Sequence, residues 1–427
     1  MIPDLSSAPH VVIWIIAALA VAGMIVRPFQ IVGAVWPVGG AAILLVFGLI
    51  SPRVALTGVA KGTDVYLFLT GMMLLAEVAR NEGLFDWLAA LATSHAKGSA
   101  DRLFLLIYLV GTAVTILLSN DATAVVLTPA VAAAARTAKV EEPLPYLLIC
   151  AFIANAASFV LPISNPANLV LYGSHMPPLG QWLPQFLLAS VLSIVVTYVV
   201  LKWTQRTALH QRLAQSVPVP ALSGGGKIAA AGIAATAIVL LGASALDMRL
   251  GLPTCMAGVL TAVIVLIRRP PRTWLAKAGP VLKDISWGIL PLVAGLFVLV
   301  EAMNQTGLIA NSGMLLHDAA ARSAIWAGWG AGVAAALGSN LANNLPVGLI
   351  ASSAVHAAGP PDQVTSAILI GVDLGPNLSV TGSLATILWL TALRREGQTV
   401  GAAKFLALGM IVMPAALLAS IAATVLL

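Results

Sequence analysis

Long apolar segments separated by short polar ones run along most of the 427-residue chain. Because a helix needs about 20 mostly apolar residues to cross a bilayer, these segments predict membrane-spanning helices. Two shorter segments of mixed polarity, 84–97 and 308–320, predict helices that lie at the membrane interface. The predicted spans and helical arms are 11–27, 31–50, 64–80, 102–118, 122–135, 145–173, 181–203, 228–246, 253–268, 284–302, 322–338, 341–357, 364–393 and 403–427.

One predicted helix, 145–173, changes character halfway along. Its second part, NAASFVLPISNPANLVLYG, contains two nearby prolines, and each proline removes a backbone donor and interrupts a helix. A break at membrane depth is tolerated only where protein or a watery cavity satisfies the freed backbone groups. Such breaks form the substrate sites of many secondary transporters. The polar and proline residues of this stretch are Asn155, Ser158, Pro162, Ser164, Asn165, Pro166 and Asn168.

The second half of the chain repeats landmarks of the first half at a nearly constant offset. The interval from Asp64 to Asp284 equals the interval between the Ser-Asn pairs at 119–120 and 339–340. Asp373, which opens a second interrupted segment, follows Asn155 at almost the same interval. Internal duplication of this kind is typical of transporters. We therefore expect a first repeat over 1–203, a linker over 204–227 and a second repeat over 228–427.

The segments around the two Ser-Asn pairs decide how the repeats are oriented. If each pair lies at the tip of a re-entrant helical hairpin, each half has five crossings, and the two halves are inverted. The sequence then predicts an all-α polytopic membrane protein with about ten transmembrane helices, two re-entrant hairpins and two broken helices. In this arrangement 102–173 and 322–393 form the transport elements and the remaining spans form a scaffold.

The distribution of basic residues supports this threading. With both termini outside, 18 of the 22 Lys and Arg residues fall in cytoplasmic loops, as the positive-inside rule requires. Counting each hairpin as one span would place the basic linker outside, against that rule. Two full-length crossings in place of a hairpin would preserve the sides, but 122–135 is short for a span. The four basic residues left outside are Arg53, Lys61, Arg249 and Arg322.

Composition narrows the classes of function. Hydrophobic residues make up 59% of the chain and charged residues only 9%, whereas soluble domains carry about 25% charged residues. No basic cluster lies on a soluble domain, so nucleic-acid binding is not supported. The sequence contains no phosphate-binding loop motif, so P-loop ATP hydrolysis is excluded. The two cysteines, Cys150 and Cys255, are far apart and form neither a metal-ligand spacing nor a disulfide framework. We expect no cofactor and no enzymatic activity.

The hairpin tips and the breaks supply small polar side chains at helix ends, where hydroxyls, amides and free backbone groups can bind a small polar solute. Taken singly, each of these residues could equally be a helix cap. Their recurrence in both halves favours a substrate site. The candidate binding residues are Ser119, Asn120, Thr123, Ser164, Asn165, Asn168, Ser339, Asn340, Asn343, Asn344, Asn377, Ser379, Thr381 and Ser383.

Two carboxyl groups stand out because a carboxylate inside a membrane is costly and usually functional. Asp121 lies on the first tip and Asp373 opens the second break. Burial disfavours the charged form of a carboxyl group, so these residues are candidates for proton coupling. A fixed cap, or a partner for a cation elsewhere in the fold, is the alternative for each. Glu77 and Glu301 occupy matching positions near span ends and can equally be structural.

The four motifs together resemble the arsenite/antimonite efflux permease (ArsB) family of the ion transporter superfamily. The resemblance is carried by NAASFVLPISNPANLVLYG, LSNDATAVVLTPAV, GSNLANNLPVGL and GVDLGPNLSVTGSLATILWL, and it covers nearly the whole chain. The superfamily pattern has Gly-Gly-Thr where this chain has Ala156, Ala157 and Ser158, and Pro-Pro-Asn where this chain has Pro166, Ala167 and Asn168. These departures argue against transferring the ion sites of sodium-coupled relatives.

The resemblance implies a multi-pass protein of the prokaryotic cytoplasmic membrane that exports trivalent arsenic and antimony in exchange for protons. It also implies that a soluble arsenite-stimulated ATPase can be a partner. The absence of clustered thiols agrees with a neutral trihydroxide solute, which hydroxyl and amide groups would bind. A sodium/proton antiporter or an organic-anion transporter of the same superfamily remains the alternative. A channel would not need duplicated breaks.

Overall fold

The computed structural model describes residues 8–28, 31–173, 176–215, 217–268, 279 and 281–426. Apart from a single bridge between Ser99 and Arg212, these residues contain helices and connecting turns and no β-strand. The prediction of an all-α polytopic membrane protein is confirmed. Of the basic residues counted above, Arg269, Arg272 and Lys277 lie outside the described residues.

The helices of the first half begin with two apolar helices and a bent pair, and continue through a hairpin and a broken helix to a long final span. They are α1 (Ala8–Val26), α2 (Val35–Val46), α3 (Pro52–Lys61), α4 (Thr63–Asn81), α5 (Leu84–Ala96), α6 (Ala100–Leu117), α7 (Asn120–Ala122), a π-helical turn (Thr123–Leu127), α8 (Thr128–Thr137), α9 (Leu144–Ala156), a 3-10 turn (Pro162–Ser164), α10 (Pro166–Tyr172) and α11 (Leu179–Thr204).

The second half follows the same order. Its elements are α12 (Gly224–Ala245), α13 (Gly251–Ile267), α14 (Ile289–Gln305), α15 (Leu308–Arg322), α16 (Ala324–Ala342), α17 (Asn344–Ala358), α18 (Asp362–Leu374), a 3-10 turn (Gly375–Leu378), α19 (Leu384–Arg395) and α20 (Ala402–Val425).

Six helices of the described chain are long and apolar enough to cross a membrane, and the bent pair α3–α4 would make a seventh. One of the six, α6, is a predicted hairpin arm. Among the ten predicted crossings, α2 and α13 form shorter apolar helices, and two others are the broken helices, whose separate parts are too short to meet this criterion.

The structure differs from the sequence prediction at α3, because residues 52–61 form a helix where the prediction had a loop. Ser51 starts this helix, because its hydroxyl accepts a hydrogen bond from the Val54 amide at 3.3 Å and Pro52 occupies the first turn. Its low hydropathy hid it from a search for apolar runs. The helix meets α4 at an angle of 44°.

The first hairpin enters and leaves on one side of the molecule. The Leu213 amide donates to the Gly98 carbonyl, just before α6, and the Ala214 amide donates to the Ala138 carbonyl, just after α8. Both ends of the hairpin therefore lie against the linker, and we call this side the linker face. Helix α5 packs along both arms.

The second hairpin enters and leaves on the face opposite to the linker. Helix α15 leads directly into α16, and its His317 contacts the carbonyl of Ala358, the last residue of α17, at 3.0 Å. Gln185, near the start of α11, donates to the Asp362 carbonyl at the start of α18. Because α11 ends at the linker, its start and the base of the second hairpin lie on the face opposite to the linker.

Ion pairs join the two halves at the ends of the scaffold helices. Lys61 contacts Glu301 at 2.6 Å, and Arg80 contacts both Glu77 and Asp284. The two glutamates that occupy matching positions in the repeats therefore both lie in ion pairs. This arrangement favours the structural interpretation of Glu77 and Glu301.

Close helix packing in the scaffold depends on glycine. A side chain at Gly71 would place its Cβ 2.2 Å from the Thr254 carbonyl oxygen of α13, and a Cβ at Gly258 would clash with the Gly71 backbone. Small residues that let helix backbones approach closely are typical of membrane interfaces. The contact between α4 and α13 therefore requires glycine at both positions.

We expect Gly71→Ala to lower the thermal stability of the purified protein, because the added methyl group must push α13 away. Overpacking of this kind typically costs about 1–3 kcal/mol. The measurement is the melting midpoint in detergent. Gly39→Ala is the matched control, since among the described residues no atom beyond the adjoining backbone of α2 lies within 4 Å of the added Cβ. Equal melting midpoints for the two variants would show that this contact does not constrain the fold.

Candidate functional site

The two broken helices restart in the same way. In the first broken helix, α9 ends before the two prolines, which interrupt the helix. The Asn165 side chain then caps α10 by accepting a hydrogen bond from the Ala167 amide at 3.0 Å. In the second break the Ser383 hydroxyl caps α19 by accepting from the Thr386 amide at 3.1 Å. Each break thus turns the beginning of a helix toward the interior of the protein.

The two hairpin tips also end in helix caps. The Ser119 hydroxyl accepts a hydrogen bond from the Ala122 amide at 3.2 Å. Asn343 has a positive φ of 72° and accepts from the Leu345 amide at the start of α17. The chain reverses at both tips, and the second arm of each hairpin starts at the centre of the molecule.

These four helix starts meet at one small cavity with a volume of about 10 Å³. Scaffold helices α4 and α14 close it with Leu69 and Ile289, which occupy equivalent positions in the two repeats. The volume is enough for about one water molecule, so the cavity has little room for a solute in this conformation. Its lining residues are Leu69, Asn120, Asp121, Asn165, Pro166, Ile289, Asn344, Leu345, Ser383, Leu384 and Ala385.

Asp121 is the charged residue of the cavity wall. Within the described part of the chain its carboxylate makes no hydrogen bond and no ion pair. The carboxylate therefore has unused hydrogen-bond acceptor capacity at the cavity wall. No Lys or Arg is among the lining residues that the structure describes.

Asp373 occupies a different position, behind the cavity. It is fully buried, and both carboxylate oxygens accept hydrogen bonds from the first break: Oδ1 from Asn165 Nδ2 at 2.8 Å and Oδ2 from Ser158 Oγ at 2.9 Å. Asn165 therefore contacts Asp373 and also lines the cavity. It connects the two regions that contain the carboxyl groups.

The candidate residues of the sequence separate into two groups. Asn120, Asp121, Asn165, Asn344 and Ser383 line the cavity. The remaining candidates hold backbone or other side chains in place, and the structure does not bring their side chains to the cavity wall. These are Ser119, Thr123, Ser164, Asn168, Ser339, Asn340, Asn343, Asp373, Asn377, Ser379 and Thr381.

Asn340 shows what the second group does. Its amide nitrogen donates to the Gly375 carbonyl of the second break at 2.9 Å, and its side-chain oxygen accepts from Ser379 at 2.7 Å. Thr381 donates to the Asn340 carbonyl at 2.9 Å. The tip of the second hairpin is thereby bonded to the second break.

Similar bonds secure the first break. Asn168 donates to the Ser158 carbonyl at 2.9 Å and also reaches the carbonyls of Leu161 and Pro162. Ser164 donates to the Ile116 carbonyl at 3.1 Å, which ties the break to α6.

Three polar residues at the centre were absent from the sequence-based set of binding residues. Asn155 donates to Asn377 Oδ1 at 3.0 Å and lies 3.5 Å from Thr386 Oγ1, which joins the two breaks. Ser158 contacts Asp373 as described above. Asn155 and Ser158 belong to the polar run of the first break, but these partners lie in the other half of the chain. Thr386 carried no sequence signal beyond its place in the second motif.

Comparison with known proteins agrees with this architecture. A family model described as citrate transporter matches residues 11–372. An arsenical pump membrane protein of Escherichia coli K12 is 27% identical over 403 residues, covering 90% of this chain and 91% of the relative. A protein of the same name from Yersinia enterocolitica is 27% identical over 82% of this chain and 83% of its own length.

Two solved structures share the fold. The YdaH transporter of Alcanivorax borkumensis has a TM-score of 0.51 at 16% identity and covers 86% of each chain. MtrF of Neisseria gonorrhoeae, described as illuminating a class of antimetabolite efflux pumps, has a TM-score of 0.51 at 13% identity, and the match covers 100% of this chain and 96% of that one. At these identities the likeness concerns the fold alone. The family match over most of the length, together with the helical architecture, shows that the chain belongs to the citrate transporter (CitMHS) family of membrane transport proteins.

Proposed function

We propose that this transporter exports trivalent arsenic and antimony as neutral hydroxides in exchange for protons. The observation that carries the proposal is the chemistry of the cavity wall, where the described residues offer amides, a hydroxyl and the Asp121 carboxylate but no basic side chain. A neutral trihydroxide needs hydrogen-bond donors and acceptors and no cation. The relatives named arsenical pump membrane proteins, similar over most of the chain, support the same solute.

Sulfur ligation of arsenic is not supported by the cysteines. Cys150 is buried in α9, Cys255 lies in α13, and the described residues contain no cluster of three His, Cys, Asp or Glu side chains that could hold a metal ion. The proposed partners of the solute are therefore the oxygen and amide groups of the cavity wall.

In the proposed mechanism the transport elements 102–173 and 322–393 move against the scaffold, with the cavity at their boundary. Leu69 and Ile289 belong to the scaffold, and the other lining residues belong to the transport elements. Protonation of a site carboxyl group would compete with solute binding or permit the empty return step. A soluble ATPase, if present in the cell, would contact the linker face, where the sequence predicts most of the basic loops.

An organic anion is the second candidate solute, favoured by the description of the family model and by the four helix starts at the cavity. Asp121 opposes it, since the carboxylate repels an anion and no Lys or Arg among the described lining residues offsets that repulsion. A sodium/proton antiporter also fits an oxygen-rich wall. Transport measurements separate the three.

We expect everted membrane vesicles that contain the protein to accumulate arsenite when an acid-inside proton gradient is imposed. A protonophore should abolish the accumulation, because the gradient drives the exchange. The measurement is vesicle arsenic by mass spectrometry, with empty-vector vesicles as the control. Citrate accumulation, or sodium-driven pH changes without arsenite uptake, would contradict the proposed solute.

Removing the charge of either aspartate should uncouple transport from the proton gradient. We expect Asp121→Asn and Asp373→Asn each to reduce gradient-driven arsenite uptake by roughly tenfold or more, the factor that corresponds to about 1.4 kcal/mol. Asp86→Asn, at an exposed position in α5, is the control and should retain wild-type uptake. Full gradient-driven uptake in both site variants would show that neither carboxyl group couples to protons.

A further inference from the structure

Asp373 is buried, and no positively charged side chain of the described residues forms an ion pair with it. The ion pairs within the described residues do not include it, and its two hydrogen-bond donors, Ser158 and Asn165, are neutral. A carboxylate has about four acceptor sites, so two donors leave it only partly satisfied. An ionised group in such a place is costly unless it is paired.

Among the described residues, the other ionisable side chains on and around α18 form no ion pair with the Asp373 carboxyl group. On α18 itself the acidic residue Asp362 lies three turns away, at the start of the helix. The other intramembrane carboxyl group, that of Asp121, lines the same cavity as Asn165, and Asn165 bonds to Asp373. The helices packed against α18 carry Tyr146, Cys150, Tyr172, Tyr198, Lys202, His356 and Lys404, and no hydrogen bond or ion pair joins any of these to Asp373 within the described chain.

The Ser158 hydroxyl stands between two acceptors. Its oxygen lies 2.7 Å from the Asn155 carbonyl oxygen and 2.9 Å from Asp373 Oδ2. A hydroxyl group has one hydrogen and two lone pairs, so it can donate to only one of these oxygens at a time. When it donates to Asn155, its lone pair faces Oδ2, and a hydrogen on Oδ2 then completes the contact.

We propose that Ser158 is a positioning residue for Asp373. The Ser158 hydroxyl rotates so that it donates to the carboxylate when Asp373 is ionised and accepts from the acid when Asp373 is protonated. The inference rests on the proposed proton-coupled function. In the protonated state the chain of bonds runs from Asp373 to Ser158 and on to the Asn155 carbonyl. In the ionised state the Ser158 hydrogen turns to Asp373. The same heavy-atom positions accommodate both states.

The protonated state fits this conformation, because Asp373 is fully buried and protonation removes a buried charge that has no ion-pair partner among the described residues. Asn165 transmits the change to the cavity. Its Oδ1 is fixed by the Ala167 amide and its Nδ2 bonds to Asp373 Oδ1, while the side chain lines the cavity. Proton release from Asp373 in one repeat therefore strengthens its bonds to two residues in the break of the other repeat.

The test compares Ser158→Ala with the wild type across a range of pH. The variant removes a donor that stabilises the ionised carboxylate more than its neutral form, so Asp373 should hold its proton more tightly. We expect the midpoint of the pH dependence of arsenite uptake to move upward by about one pH unit. Ser158→Cys, which keeps a weak donor, should give a smaller shift.

The matched control is Ser193→Ala. Ser193 is also fully buried and donates to the Ala156 carbonyl at 2.7 Å, beside the first break, but it does not contact Asp373. We expect its midpoint to equal that of the wild type. If Ser158→Ala lowers uptake equally at every pH with no change in midpoint, the hydroxyl has only a packing role and the inference is wrong.

A spectroscopic measurement keeps this inference separate from the identity of the solute. Infrared difference spectra of the purified protein should contain a protonated-carboxyl C=O band that is absent in Asp373→Asn and shifted in Ser158→Ala. Those changes without arsenite uptake by the wild type would support the role of Ser158 and overturn the proposed solute. A band that does not respond to Ser158→Ala would overturn the role of Ser158.

Discussion

The structure depends on satisfying backbone groups at two breaks inside a membrane protein. A carbonyl or amide freed from a helix has no water to bond to in hydrocarbon, and each unsatisfied group costs several kcal/mol. Asparagine side chains supply much of the compensation: Asn168 bonds carbonyls within the first break, Asn340 bonds the second break, and Asn377 donates to the Phe152 carbonyl across the repeats. These bonds fix where the helices restart, and the restarted helices form the cavity.

The centre of the protein combines two opposing electrostatic features. Helix starts present backbone amides that favour negative charge, and Asp121 supplies a carboxylate among them. An anionic solute would compete with that carboxylate, whereas a neutral hydroxylated solute can bond to both kinds of group. The wall of the cavity is therefore better matched to a small neutral solute than the family description by itself suggests.

The two aspartates have different surroundings, and this difference gives them different tasks in the proposed mechanism. Asp121 lines the cavity and has no partner among the described residues, so the proposed mechanism makes it the group that meets the solute and the proton. Asp373 is held by Ser158 and Asn165 from the other repeat, so its charge acts on the packing of the two breaks. Asn165 takes part in both regions and provides a physical connection between them.

The sequence by itself determined the helical membrane fold, the two breaks and the positions of the intramembrane carboxyl groups, because apolar runs, prolines and a repeat offset are local properties. It did not find α3, which begins with a cap and not with an apolar run. Only the tertiary structure decided which polar residues face the cavity: Asn344 lines it, while Asn340 of the same motif bonds backbone. Ser158 likewise acquires its importance from Asp373 in the other repeat. Such long-range partners depend on how the two halves pack together, and a local pattern of residue types contains no such information.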